Sequence, residues 1–169
     1  MFEHILVPID GSPLSALALP IAADLARRYD STVTLLYVMP PLLVIYDAPA
    51  YTSVDSATTV NAKAQGQRIL EEARTAMVFP EAQLLYLNDG PSRTAQAIVE
   101  VTQQRGVSLV VMGSHGRGGL EHFFLGSVAE GVMRRIGVPV LVVRGPNTSA
   151  LPLPPMDTPH GALISEVSA

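Results

Sequence analysis

The chain has 169 residues, which fits a single domain. Its 48% of hydrophobic residues and mean hydropathy of +0.31 are typical of a globular protein, and its 5% of aromatic residues leaves little material for stacking nucleic-acid bases. A net charge of −4 argues against a nucleic-acid partner, and the absence of cysteine excludes disulfides, thiolate metal sites and cysteine nucleophiles.

The amino terminus favours a cytoplasmic location. Glu3 and His4 stand where a signal peptide needs positive charge, and the short apolar run that follows ends at Asp10. Since no apolar stretch of the sequence approaches the roughly 18 residues that span a bilayer, we expect no membrane partner.

Short apolar runs alternate with longer segments of helical period, a pattern typical of a parallel sheet flanked by helices. The runs are apolar on both faces, as a sheet covered on both sides requires. The predicted fold class is therefore three-layer α/β, with five strands at residues 4–9, 32–38, 83–88, 109–113 and 139–143.

Four helices are predicted between these strands. Ser12 is placed to cap the first, Pro13 occupies its first turn, and Pro20 is expected to bend it. The other three are expected near residues 58–77, 92–105 and 127–136.

Two segments fall outside this alternation. Residues 40–57 form a long connection, which is either a lid over a ligand or an ordinary surface loop. The tail, residues 145–169, carries five prolines and no periodic apolar face, so we predict that it is disordered and that residues 1–144 form the domain.

A ligand site is expected at the carboxyl ends of the first and fourth strands. In an open parallel sheet, ligands bind where the strand order reverses, which is between these two ends if the first strand is central. The two ends read "PIDGS" and "MGSHGRGG". The only lysine, Lys63, lacks the context of a P-loop, so a bound nucleotide has to be held without a Walker lysine.

These loops suit an anionic ligand. Glycines 113 and 116 let the backbone turn its N–H groups toward phosphate oxygens. Gly126 and Ser127 open the fourth helix, where the N–H groups of Ser127 and Val128 and the Ser127 hydroxyl are placed to bind phosphate.

Two charged side chains complete the predicted site. Asp10 ends the first strand, where it is placed to accept hydrogen bonds from a ribose or to hold Mg²⁺. Arg117 is the only cation close to the proposed phosphate path.

Each of these residues also has a simpler interpretation. Gly113 and Gly116 serve a tight connection from strand to helix in that case, and Ser127 is only an N-cap. Asp10 caps the first helix, and Arg117 is a solvated loop charge.

The aromatic and histidine side chains of the same loop are weaker candidates. His115 and His122 stand seven residues apart, a spacing that does not place two metal ligands on one helical face. Residues 123–125, Phe-Phe-Leu, are interpreted as an apolar plug that anchors the loop to the core.

Taken together, these motifs resemble the universal stress protein family over residues 1–144. The stretch "GSHGRGGLEHFFLGS" fits the family's ATP-binding signature, in which a glycine, two residues, a glycine, nine residues and a glycine precede Ser or Thr. Here these positions are Gly113, Gly116, Gly126 and Ser127. The opening "HILVPIDGS" resembles the family's first strand and acidic turn.

The resemblance implies a flavodoxin-like or adenine nucleotide alpha hydrolase-like sheet of order 3-2-1-4-5, a Rossmann-like arrangement, and a homodimer. It also implies an ATP cofactor, bound with Mg²⁺. The adenine and ribose would contact Pro8, Ile9, Asp10 and Val38. The ribose and phosphates would be surrounded by Met112, Gly113, Gly116, Gly126, Ser127 and Val128, with Arg117 nearby.

The sequence departs from the family pattern in three places. Gly131 stands inside the fourth helix, where most members carry a larger residue and where glycine costs about 1 kcal/mol relative to alanine. The Pro-rich tail is additional. The 40–57 connection varies among members.

The fifth strand supports the dimer independently. Residues 139–143 are uncharged and apolar, and only Pro139 blunts what would be a sheet edge. We therefore predict antiparallel pairing of this strand with its copy across a two-fold axis.

Three functions remain open at this point. The first is an ATP-binding stress-response or signalling module. The second is a slow ATPase or phosphoryl-transfer enzyme, for which only Asp10, His115 and Arg117 are available in the loops. The third is a nucleotide-free dimeric interaction module.

Overall fold

The computed structural model describes residues 1–39, 56–78, 83–87, 94–114 and 125–145. The predicted connection 40–57 lies outside these ranges except for its last two residues, which begin a helix. The predicted disordered tail is likewise outside them beyond Gly145.

Five strands form one parallel sheet in the order β3-β2-β1-β4-β5, which is the predicted order. The α/β class with a parallel sheet flanked by helices is confirmed. The strands are β1 (His4–Pro8), β2 (Thr32–Val38), β3 (Gln83–Leu87), β4 (Leu109–Gly113) and β5 (Val140–Val143). The helices are α1 (Pro13–Ala16), α2 (Ala18–Tyr29), α3 (Ser56–Met77), α4 (Thr94–Gln104) and α5 (Ser127–Met133).

The core lies on both faces of the sheet. Ile5 and Val7 of β1 point to one face and pack with α2 and α3, while Leu6 between them points to the other face and packs with α4 and α5. All three side chains are fully buried, which explains why the strands show no polar alternation.

The first predicted helix is divided in two. Pro20 has no N–H group to donate to the carbonyl of Ala16, and the helix is interrupted at Leu17, between α1 and α2. The short α1 lies over the carboxyl end of β4, where its backbone approaches Gly113.

The unusual glycine of α5 has a packing reason. A Cβ atom at Gly131 would lie 2.8 Å from the Cβ of Ala95 in α4, closer than two carbon atoms can approach. The two helices thus come together at a position where a side chain does not fit, and this contact accounts for the departure noted in the sequence.

No helix among the described residues is long and apolar enough to cross a membrane.

Candidate functional site at the carboxyl ends of β1 and β4

The carboxyl ends of three adjacent strands meet at one edge of the sheet. β1 lies between β2 and β4, and all three run parallel. This arrangement brings residues 8–10, at the end of β1, beside Val38 of β2 on one side and Met112 and Gly113 of β4 on the other. This is the end of the sheet at which the strand order predicts a ligand site.

Asp10 is fixed by the residues that follow it. Its Oδ1 atom accepts hydrogen bonds from the Ser12 N–H group at 2.9 Å and from the Ser12 hydroxyl at 2.6 Å. The Ser12 Oγ atom in turn accepts the N–H group of Ser15 at 3.1 Å, which makes Ser12 the predicted N-cap of α1. The simpler interpretation of Asp10 as the helix cap is therefore wrong, because Asp10 holds the residue that caps.

Gly113 is required by packing. A Cβ atom at this position would lie 2.7 Å from the carbonyl oxygen of Leu14 and 3.1 Å from the Cα atom of Ser15. Both contacts are with the backbone of α1, which cannot move aside as a flexible side chain can. Gly113 thus has a packing role against α1, which differs from the predicted role in the connection from β4 to the next helix.

The start of α5 is tied to the ends of β4 and β5 through Ser114. The Ser114 N–H group donates to the carbonyl of Val143, and the Ser114 carbonyl accepts the N–H group of Gly126, both at 2.8 Å. Ser114 is 2% exposed, so this junction is buried. The N–H group of Gly126 is consequently engaged by the protein backbone.

Gly126, and not Ser127, is the N-cap of α5. Ser127 is the first helical residue, so the interpretation of Ser127 as a cap is wrong. Glycine offers no side-chain oxygen, and within the described part of the chain no side-chain hydrogen bond caps this helix. The first N–H groups of a helix have no acceptor inside it, and the residues at this end, Ser127 and Val128, are exposed.

The nearest acidic side chain on α5 is directed away from that end. Glu130 lies in the first turn, and its carboxylate pairs with Arg134 one turn further along at 2.5 Å. Both side chains are exposed, so the pair stabilises little, but it reduces the negative charge that an incoming anion meets.

Several predicted residues lie outside the described part of the chain. These are Gly116 and Arg117 of the signature loop, together with His115, His122, Phe123 and Phe124. Leu125 is described, and it packs partly buried against the core on the α4 and α5 side. Among the described residues, no group of three or more His, Asp or Glu side chains is placed to hold a metal ion.

Two residues whose hydrogen bonds hold the loops of the candidate site, Ser15 and Ser114, were not predicted from the sequence. Ser15 is 6% exposed, and its hydroxyl donates to the Ser12 carbonyl at 2.9 Å. Its position three residues after the cap was the available signal. Ser114 acts through its backbone, for which its side-chain type gives no signal.

Comparisons with known proteins agree with this architecture. The sequence profile described as "Universal stress protein family" matches residues 1–144. The universal stress protein YxiE of Bacillus subtilis is 35% identical over 153 residues, covering 85% of this chain and 100% of the relative. The universal stress protein MJ0531 of Methanocaldococcus jannaschii is 32% identical over 146 residues, covering 86% of this chain and 84% of the relative.

Solved structures share the fold. MJ0577 of Methanocaldococcus jannaschii superposes with a TM-score of 0.71 at 24% identity, covering 88% of this chain and 99% of that one. A universal stress protein in complex with cAMP has a TM-score of 0.61 at 22% identity, covering 85% and 97%. A family protein from Arabidopsis thaliana with AMP bound has a TM-score of 0.57 at 16% identity, covering 84% and 91%.

The family profile spans the whole sheet and its helices, and the Bacillus relative is similar over its full length. The chain belongs to the universal stress protein family.

Proposed function

We propose that the protein binds an adenine nucleotide, ATP with Mg²⁺, at the carboxyl ends of β1 and β4, and acts as a nucleotide-dependent stress-response or signalling module. One observation carries the proposal. A fixed carboxylate, Asp10, and the start of α5 at Ser127, which no side chain of the described residues caps, follow neighbouring strands of the sheet. The first suits the hydroxyls of a ribose, and the second suits phosphate oxygens.

The proposed contacts are those predicted from the sequence, with revised roles for two glycines. Gly113 acts by admitting the backbone of α1, and Gly126 acts by starting α5 without a side chain. The remaining contacts would come from Pro8, Ile9, Asp10, Val38, Met112, Ser127 and Val128, and from Gly116 and Arg117 outside the described residues. A Mg²⁺ ion would take its ligands from phosphate oxygens and water, which leaves the Asp10 carboxylate to the ribose.

Relatives support the choice of an adenine nucleotide. Members of the family have been solved in complex with cAMP and, in Arabidopsis thaliana, with AMP bound. A third, from Archaeoglobus fulgidus, was solved in complex with dAMP. Our proposal that this chain prefers ATP rests on the signature spacing at Gly113, Gly116, Gly126 and Ser127.

Mass spectrometry of small molecules released by denaturing the purified protein tests the proposal. We expect an adenine nucleotide in the released fraction and, in calorimetric titrations with Mg²⁺ present, tighter binding of ATP than of AMP. Protein that releases no nucleotide and shows no heat of ATP binding would favour a nucleotide-free interaction module.

We also propose that residues 1–144 form the domain and that it dimerises through strand 139–143. β5 is the last strand of the sheet, and Leu141 on it is 39% exposed. An apolar strand at an open edge is usually covered, and a copy of itself fits across a two-fold axis.

We expect a dimeric mass in analytical ultracentrifugation and a monomeric mass for Leu141→Lys, because antiparallel pairing brings the two lysines together across the axis. Val60→Lys is the matched control, since Val60 is also an exposed apolar residue but lies on α3, away from the strand edge. A monomeric wild-type protein at micromolar concentration would contradict the dimer.

A further inference from the structure

We infer that Ser12 is a positioning residue for nucleotide recognition, which orients the Asp10 carboxylate toward the hydroxyls of the nucleotide sugar. This inference rests on the proposed nucleotide binding. It assigns the preference for a ribose to a side chain that lies in the loop between β1 and α1.

The direction of each hydrogen bond in this loop follows from the chemistry of the groups. The Ser12 Oγ atom accepts the N–H group of Ser15 at 3.1 Å, and the one proton of its hydroxyl is directed at Asp10 Oδ1, 2.6 Å away. An ionised carboxylate has no proton to donate, so the Ser12 hydroxyl is the donor of this hydrogen bond and Asp10 Oδ1 is the acceptor. Ser12 therefore acts as a relay between the first turn of α1 and the carboxylate.

The relay restrains the carboxylate at one oxygen. The Ser12 N–H group donates to the same Oδ1 atom at 2.9 Å, so two donors from one residue hold it. Hydrogen bonds in series polarise one another, which stiffens the arrangement. With Oδ1 held, the plane of the carboxyl group has little freedom to turn about the bond that joins it to Cβ.

The rest of the loop keeps Ser12 in place. The buried Ser15 hydroxyl donates to the carbonyl of Ser12 at 2.9 Å. The backbone of α1 rests on Gly113, so the relay is built against β4. A carboxylate oriented before the ligand arrives loses less freedom on binding, and this favours a ligand with hydroxyls at the matching position.

The test compares ATP with 2′,3′-dideoxy-ATP by calorimetry in the presence of Mg²⁺. We expect the wild-type protein to bind ATP roughly tenfold more tightly than the dideoxy nucleotide, because only the sugar hydroxyls of ATP can donate hydrogen bonds to the carboxylate. In Ser12→Ala and Ser12→Gly we expect this preference to fall below about threefold, while the affinity for the dideoxy nucleotide stays unchanged. Glycine is included because it is a tolerated N-cap, so α1 is retained without the hydroxyl.

Two further variants serve as controls. Ser12→Thr keeps a hydroxyl and should restore the preference. Ser108→Ala removes a hydroxyl that forms hydrogen bonds with the backbone of His4 at the amino end of β1, far from Asp10 along the strand. It should leave the preference for ATP intact.

The outcomes separate this inference from the function on which it rests. If the wild-type protein binds neither nucleotide, the proposed function and the role of Ser12 both fail. If it binds both equally, nucleotide binding stands and the positioning role is overturned. Equal weakening of both ligands in the Ser12 variants also overturns it, because Ser12 would then only hold the loop.

Discussion

Replacing Gly113 with alanine is expected to lower the free energy of unfolding by about 2–3 kcal/mol, and replacing it with valine by more. The new Cβ atom would lie 2.7 Å from the carbonyl oxygen of Leu14, so α1 has to move away from β4. A domain of this size is typically stable by about 5–15 kcal/mol, and such a loss is a large part of that margin. Urea denaturation followed by circular dichroism measures the change.

Gly137→Ala is the matched control, because a Cβ atom at Gly137 meets nothing within 4 Å. We expect its free energy of unfolding to stay within about 0.5 kcal/mol of the wild-type value. Equal stability of the Gly113 and Gly137 variants would show that α1 does not rest on β4 as described. Since Gly113 stabilises the fold, loss of nucleotide binding in a Gly113 variant would not identify a ligand contact.

The fold was largely predictable because hydrophobic burial decides it. Runs that are apolar on both faces can only be satisfied between two layers of helices, and β2 and β4 have the predicted bounds. The differences at the other strands are local. β5 begins at Val140 and not at Pro139, because proline has no N–H group for the ladder, although its carbonyl still accepts from Val110.

The roles within the site were less predictable. The signature gives one spacing for Gly113, Gly126 and Ser127, yet the structure gives them three different functions. Gly113 admits a backbone, Gly126 caps a helix while its N–H group bonds to Ser114, and Ser127 begins the helix. Close approach and backbone hydrogen bonds depend on tertiary packing, which residue spacing alone does not encode.

The hydrogen bonds between Ser12 and Asp10 were also not predictable from the sequence. The sequence predicted a helix cap at Ser12 and a ligand or cap at Asp10, each from its residue type. What it did not predict is that the two side chains bond to each other, because that depends on how the turn between them closes. The proposed orientation of the Asp10 carboxylate depends on both side chains together.

The substitution Ser127→Asp is expected to affect stability and binding in opposite directions. A carboxylate in the first turn of α5 interacts favourably with the helix dipole and should raise the free energy of unfolding by about 0.3–1 kcal/mol. The same carboxylate would repel the nucleotide phosphates and weaken ATP binding by about 2 kcal/mol, or roughly 30-fold. Thermal melting and calorimetric titration of the same preparation measure both effects.

Two controls separate charge from shape. Ser127→Asn has nearly the same size as the aspartate variant without its charge, and its ATP affinity should stay within about threefold of the wild-type value. Adenosine, which has no phosphates, should bind Ser127→Asp and the wild-type protein equally well. If Ser127→Asp binds ATP as tightly as the wild-type protein does, the phosphates do not approach the start of α5. In that case Ser127 and Val128 would no longer be among the proposed phosphate contacts, and the contacts at the ends of β1, β2 and β4 would remain.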